Sequence, residues 1–238
     1  MWACLLPATP AGGPYAIEVA VEGSARVPEV LTDVMFGDVF VCSGQSNMQE
    51  PLSVVNNASS ELAAAADFPW VRVAAVAQAS STTPLRDTRP LRLPWQRASP
   101  AALGANNSKS WAFFSATCWL TAREVAAELG PGVPLGLIGT YVGGTPIESW
   151  TPGATGKDPQ GHVGGVLYNA MVAPLTGLAI KALLWYQGEN NSFKPTRWVS
   201  YATQFPAMIK LWREAWVNGT AQSALATTPF GFVQIGHA

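Results

Sequence analysis

Phe36-Gly-Asp-Val-Phe-Val-Cys-Ser-Gly-Gln-Ser-Asn-Met48 is the stretch on which the fold turns. Its Val39-Phe-Val-Cys42 core is apolar without alternation, as expected of a short strand buried on both faces. The run leads straight into the turn signal Ser43-Gly44. The same order recurs downstream: Pro134-Leu-Gly-Leu-Ile-Gly139 leads to Gly143-Gly144, and Lys181-Ala-Leu-Leu-Trp-Tyr186 leads to Gln187-Gly188-Glu189. Val71–Val76 and Phe230–Ile235 read as two further strands. Glu61–Ala66 is helical by propensity. Trp111–Leu129 carries apolar residues at helical spacing until Gly130-Pro131-Gly132 stops it. Arg197–Val217 places Leu211, Trp212 and Trp216 on one helical face. Short apolar strands alternating with helices argue for an α/β protein with a parallel sheet covered on both faces. Val39–Cys42 is expected at its centre, with the strands near 135–139 and 182–186 together on one side.

Outside this pattern, residues 78–110 are rich in Pro, Ser, Thr and Asn and read as a long surface loop. Val166–Tyr186, the longest apolar stretch, is interrupted by Asn169, Pro174, Gly177 and Lys181; it fits a buried loop and a core strand better than a membrane span of about 20 apolar residues. Residues 1–36 differ from the rest. Tyr15-Ala-Ile-Glu-Val-Ala-Val-Glu22 alternates like a half-buried strand between Gly12-Gly13-Pro14 and Gly23-Ser24. A strand pair does not fold alone, so this segment is expected to be a loosely packed β remnant or appendage.

Composition narrows the function. The chain has 238 residues, 48% of them hydrophobic, enough for a real core in one large domain. Lys+Arg 14 against Asp+Glu 15 leaves a net charge of −1. That balance lacks the basic footprint of a nucleic-acid or anionic-membrane binder. Cys4, Cys42 and Cys118 allow at most one internal disulfide and leave one thiol over. With His162 and His237 the only histidines, no spacing suits a metal centre. The N-terminus has neither the basic region nor the apolar length of a signal peptide. Sequons at Asn57, Asn106, Asn190 and Asn218 tilt weakly towards a secretory origin.

The chemistry is positional. Gly44-Gln-Ser-Asn-Met48, Gly143-Gly-Thr145 and Gln187-Gly-Glu189 each follow an apolar strand, and open parallel sheets bind ligands at the carboxyl ends of their strands. Ser46, in a strand-to-helix turn, suits a nucleophile, although a serine there often only caps a helix. Gly143 and Gly144 let backbone N–H groups approach a ligand; they also suit a plain turn. Gln187 offers a neutral donor for an oxyanion, or for a loop backbone. Glu189 suits an orienting role, and Gln45 and Asn47 flank the serine.

These segments, with Gly143-Gly-Thr-Pro-Ile-Glu-Ser-Trp150, Leu167-Tyr-Asn-Ala-Met-Val-Ala-Pro-Leu175, Trp185-Tyr-Gln-Gly-Glu-Asn190 and Pro229-Phe-Gly-Phe-Val-Gln234, resemble the sialate O-acetylesterases, a family of SGNH-type serine esterases. The resemblance spans nearly the whole chain in order. It implies a flavodoxin-like three-layer α/β/α sheet hydrolysing acetyl esters on sugars, without metal or cofactor. It places the nucleophile at Ser46 and the oxyanion hole at Ser46, Gly144 and Gln187, with Gln45, Asn47, Gly143 and Glu189 in support. The substrate it implies is an O-acetylated sialic acid or sialoglycan, with acetylxylan-like polysaccharides as the alternative, and the compartment secreted or lysosomal. Residues 1–36 resemble the end of a preceding β-sandwich, leaving 37–238 as the esterase domain.

One part of the pattern is missing. The family's Asp-x-x-His pair, general base and orienter, falls beyond residue 238, so the chain looks truncated at both ends. Asp158-Pro-Gln-Gly-His162 has the wrong spacing and is expected in an exposed loop. His237 leaves the fifth strand at its carboxyl end and is the remaining surrogate. A catalytically inactive fragment or pseudoenzyme that at most binds a glycan is the competing expectation.

Overall fold

The computed structural model describes residues 6–23, 26–88, 90–104, 113–158, 161–193 and 195–235, with backbone alone for 195–198. Cys4, Asn106 and His237 therefore lie outside the described residues, as does the expected start of a helix at Trp111.

Residue patterning explains the main sheet. Strands β3 (Asp38–Gly44), β4 (Val71–Val76), β6 (Leu135–Tyr141), β7 (Ala182–Tyr186) and β8 (Phe230–Phe232) run parallel, and β5 (Leu91–Arg97) joins the far edge antiparallel to β4. Their order is β5-β4-β6-β3-β7-β8. β3 is thus central, but β6 and β7 flank it on opposite sides, not together on one side as expected from sequence. The correction brings the ends of all three strands beside one another.

Alternate side chains of the apolar strands enter separate cores. Cys42, Leu135 and Leu137 pack on one face with α4 (Ala116–Leu129), while Val41, Ile138 and Leu183 pack on the other with Trp212 and Trp216 of α6 (Pro195–Thr220). The smaller helices α1 (Ser46–Gln49), α2 (Ala58–Ala64), α3 (Pro100–Leu103) and α5 (Glu189–Ser192) sit between strands. Cys42 and Cys118 form a buried disulfide that ties β3 to α4 across the first core. Among the described residues no helix is long and apolar enough to cross a membrane.

Two loop expectations are corrected. The 78–110 segment contains β5 and α3. Pro94 masks β5 in sequence, yet a proline is tolerated on an edge strand, where one N–H faces away from the ladder. Tyr168–Val172, expected as a buried loop, is a wide helical turn with every residue buried.

The segment before β3 is a separate antiparallel hairpin, β1 (Gly12–Val19) with β2 (Glu29–Phe36). Its Val21, Val27, Val30 and Leu31 remain exposed. It meets the main body at Asp33, whose carboxylate pairs with Arg72 at 2.8 Å and Arg97 at 3.0 Å. Beside that contact lies a cleft of about 400 Å³ lined by Leu31, Met35, Trp95 and Pro134 among others.

Candidate active site

The parallel register builds the site. Gly44 pairs with Tyr141 of β6 and with Tyr186 of β7, so the residues that follow these strands emerge side by side at the carboxyl edge. Gly44 is required for that closeness: its φ is +146°, and a Cβ there would lie 2.1 Å from the Tyr186 carbonyl oxygen. Gln45 N–H then donates to the same oxygen at 3.0 Å, and the chain turns into α1.

Ser46 is the first residue of α1, with Gln45 in the cap position. Its hydroxyl therefore does not cap the helix. Its N–H is among the amides left without an intrahelical partner at a helix start. A Cβ placed on Gly143 would lie 3.6 Å from Ser46 Cβ, so the glycine turn passes directly beside the serine. Gly143 N–H is taken by Gln49 Oε1 at 2.8 Å. Gly144, at φ +73°, is exposed with open space around it. Its carbonyl accepts from Asn190 Nδ2 at 2.8 Å, which fixes the turn and leaves the Gly144 N–H without a partner among the described residues.

Gln187 lies beneath this surface, 3% exposed. Its Nε2 donates to Asn191 Oδ1 at 2.7 Å and is within reach of Thr145 O at 3.1 Å and Gln45 Oε1 at 3.2 Å. The Tyr201 hydroxyl lies 3.0 Å from Gln187 Oε1. Burial pushes the Tyr201 phenol up to about 12, so it stays protonated and donates, which fixes the amide's orientation. Gln45 Nε2 in turn reaches Ser46 Oγ at 3.4 Å. Gln187 thus communicates with the serine through Gln45, and its own N–H groups are committed within the network.

Glu189 accepts from Asn47 Nδ2, and its second oxygen is buried without a hydrogen-bond partner among the described residues. Thr117 of α4 donates to the Asn47 carbonyl at 3.0 Å, and Ala116 N–H donates to Glu50 O at 2.7 Å. With Cys118, the next residue after Thr117, joined to Cys42, the first turn of α4 holds the serine turn by hydrogen bonds and a covalent link.

Ser46, Gly143, Gly144, Gln45, Asn47, Gln187 and Glu189 are therefore brought together. Sequence reasoning missed Gln49, Asn191, Glu148 and Tyr201. Asn191 takes the Ile147 N–H at 2.9 Å and donates to Glu148 at 2.9 Å, which joins the second and third loops. The available signal was helical spacing: Gln187 and Asn191 are four apart, Ser46 and Gln49 three apart. Asn190, read from sequence as a sequon, is buried and serves the glycine turn.

Of the two histidines only His162 lies among the described residues, and it makes no hydrogen bond to this cluster there. His162 is half-buried rather than exposed, with Nδ1 2.9 Å from Asp158 Oδ2 and its N–H on Asp158 Oδ1 at 2.9 Å. No hydrogen bond joins it to Ser46 among the described residues.

A family model described as "Carbohydrate esterase, sialic acid-specific acetylesterase" matches residues 36–227. The sialate O-acetylesterase of Pongo abelii is 36% identical over 98% of this chain and 46% of its own length. That of Homo sapiens is 35% identical, over 98% of this chain and 46% of its own. The chain thus spans about half the length of the curated relatives it matches. Among solved structures, a carbohydrate acetylesterase from Xanthomonas citri superposes with a TM-score of 0.81 at 34% identity, covering 96% of this chain and 48% of that one.

Proposed function

This chain belongs to the carbohydrate esterase family of sialic acid-specific acetylesterases, and we propose that it carries the nucleophile half of a serine O-acetylesterase acting on acetylated sialic acids. The observation that supports this most is the meeting of Ser46 with the Gly143-Gly144 turn at the edge of three parallel strands. The Ser46 hydroxyl attacks the acetyl carbonyl and its proton passes to a base. The carbonyl oxygen becomes an oxyanion held by the Ser46 and Gly144 N–H groups. Collapse expels the sugar hydroxyl and leaves an acetyl-serine for water to hydrolyse.

In this reading Gln187 supports the oxyanion hole. A direct contact with the oxyanion requires its amide to exchange the Thr145 or Asn191 bond for the ester oxygen. Gln45 keeps the serine hydroxyl in place, and Glu189 holds Asn47. We keep 37–238 as the esterase unit and 1–36 as an appended β segment. Acetylated polysaccharides remain the alternative substrate class.

The second reading, a glycan-binding chain with little turnover, is favoured by the orientation of His162 towards Asp158. A serine esterase site lacking one triad member retains about 10³–10⁴-fold catalysis over water. For the 238-residue polypeptide we expect acetate release from an O-acetylated sialic acid to be of that order, and to remain of that order in Ser46→Ala, because the residual comes from the oxyanion hole and binding. Rapid release that survives Ser46→Ala would defeat the nucleophile assignment. Rapid release lost in His162→Ala would restore that histidine as the base.

A further inference from the structure

We propose that the cleft between the hairpin and the amino end of the sheet is a second, non-catalytic binding site, and that it takes the ring of a neutral pyranose sugar. The site lies at the end of the sheet opposite Ser46 and does not depend on the reading of that serine.

Strand register forms the floor. Arg72 of β4 and Val39 of β3 both pair with Gly136 of β6, so the three share one face of the sheet. Gly136 leaves a gap in that row, and the Trp95 ring from the edge strand β5 lies across it. A Cβ on Gly136 would stand 3.3 Å from Trp95 Cη2. The indole nevertheless remains 48% exposed. Leu31 and Met35 of the hairpin, with Pro134, complete an apolar wall around about 400 Å³. That volume falls within the roughly 300–1,000 Å³ of small-molecule sites, which combine apolar and aromatic walls with a few placed polar groups.

The polar groups of the cleft select the charge and the donors of its ligand. Asp33 is balanced by two arginines, so a cationic ligand gains little there. Arg72, its side chain nine-tenths buried, spends Nη1 on the Pro69 carbonyl at 2.7 Å and Nη2 on Asp33 at 2.8 Å. Arg97 spends Nε and Nη2 on the same carboxylate. Neither guanidinium keeps the free pair of donors that would grip a ligand carboxylate. What remains open accepts hydrogen bonds. Asp33 Oδ2 has only the 3.4 Å contact from Arg97 Nε, and Gln96 turns its Nε2 to the Pro94 carbonyl at 3.3 Å, which leaves its Oε1 as an acceptor. A ligand matched to this cleft is uncharged, carries several hydroxyl donors along one edge and has a flat apolar face for the indole. A pyranose ring has that form: its C–H face lies against the electron-rich face of an aromatic ring while its hydroxyls point outward.

The test follows the tryptophan indole N–H signals of the isotope-labelled chain by NMR while the methyl glycosides of glucose, galactose and mannose are added in turn. Trp95→Phe identifies the Trp95 signal, and unmoved signals from the other tryptophans show that the variant is folded. At least one glycoside is expected to shift the Trp95 signal saturably. Methylating the hydroxyls of that glycoside keeps its ring and removes its donors, and should weaken binding roughly 10-fold or more. Saturation transfer to the sugar should disappear in Trp95→Ala and persist in Ser46→Ala. The proposal is overturned if no glycoside moves the Trp95 signal, if the methylated sugar binds equally well, if binding survives Trp95→Ala, or if a free sialic acid binds there more tightly than the neutral glycosides. Movement of the Trp95 signal with protein concentration alone would also overturn it, because a second copy of the chain would then fill the cleft.

Discussion

The β1–β2 hairpin and the β3–α1 turn meet in sequence at Gly37, and they are held in opposite ways. The hairpin leans on the amino end of the sheet through one carboxylate shared by two arginines, with apolar side chains left exposed. The serine turn is held at the carboxyl end by buried neutral amides, by backbone bonds from α4 and by a disulfide. The contrast has a chemical reason. A surface ion pair is weak, screened by salt and tolerant of movement. Buried amides fix position through directional bonds, and they do so without placing a second full charge beside a developing oxyanion.

The largest expected effect comes from cutting the covalent tie. Cys42 and Cys118 close a loop with a sequence separation of 76. Removing that constraint in Cys42→Ala/Cys118→Ala costs about 4 kcal/mol through the unfolded chain. Urea unfolding followed by tryptophan fluorescence reads it, since Trp119 and Trp185 are buried on opposite faces. A loss below about 1 kcal/mol would mean that the serine turn is held no better than the hairpin.

Next in size is the amide network. Gln187→Ala leaves the Thr145 carbonyl without its donor. It also takes one of two partners from the Tyr201 hydroxyl, which keeps the main-chain carbonyl of residue 187, and from Asn191 Oδ1, which keeps the Ile147 N–H. An unsatisfied buried group costs about 1–3 kcal/mol. Asn191→Ala acts through the same bond, so the double variant should lose less than the two single losses added together. Ser46 acylation should slow in both. Strict additivity would show that the amides act as separate anchors and not as one network.

Smallest is the hairpin clamp. Hydrogen bonds from Arg97, aided by Arg72 and opposed by partial burial, hold the Asp33 carboxyl below its ordinary value of 3.8. A depressed folded-state value stabilises above the unfolded value and is lost as pH falls through the folded one. The clamp should therefore be complete above about pH 4–5 and fail in stronger acid. Asp33 is 38% exposed, so solvent screening keeps Asp33→Asn below about 1 kcal/mol. Amide exchange should speed up in β1 and β2 on that substitution, or in high salt, and stay unchanged in β3. Acceleration in β3 as well would show the two regions to be one cooperative unit.

What the sequence revealed follows the same division. Val39–Cys42, Val71–Val76 and Ala182–Tyr186 were legible because burial on both faces demands unbroken apolar runs. β5 was hidden by Pro94, and β2 by Thr32-Asp33, where Asp33 takes φ +57° and breaks the strand alternation. Ser46, Gly143, Gly144 and Gln187 stood out because polar, glycine-bearing turns follow apolar strands. Gln49 and Asn191 did not, since their task depends on which carbonyls and N–H groups a helical turn brings opposite them. The order of β6 and β7 about β3 leaves no mark in local sequence.

Ser46 as an addressable nucleophile is what the site stands on, and mass spectrometry tests that most directly. The chain is mixed with an activated aryl acetate, quenched in acid and digested. One acetyl group per chain is expected, located on the peptide bearing Ser46 and absent from Ser46→Ala. A chain that gains no acetyl group, or gains it equally in Ser46→Ala, would contradict it.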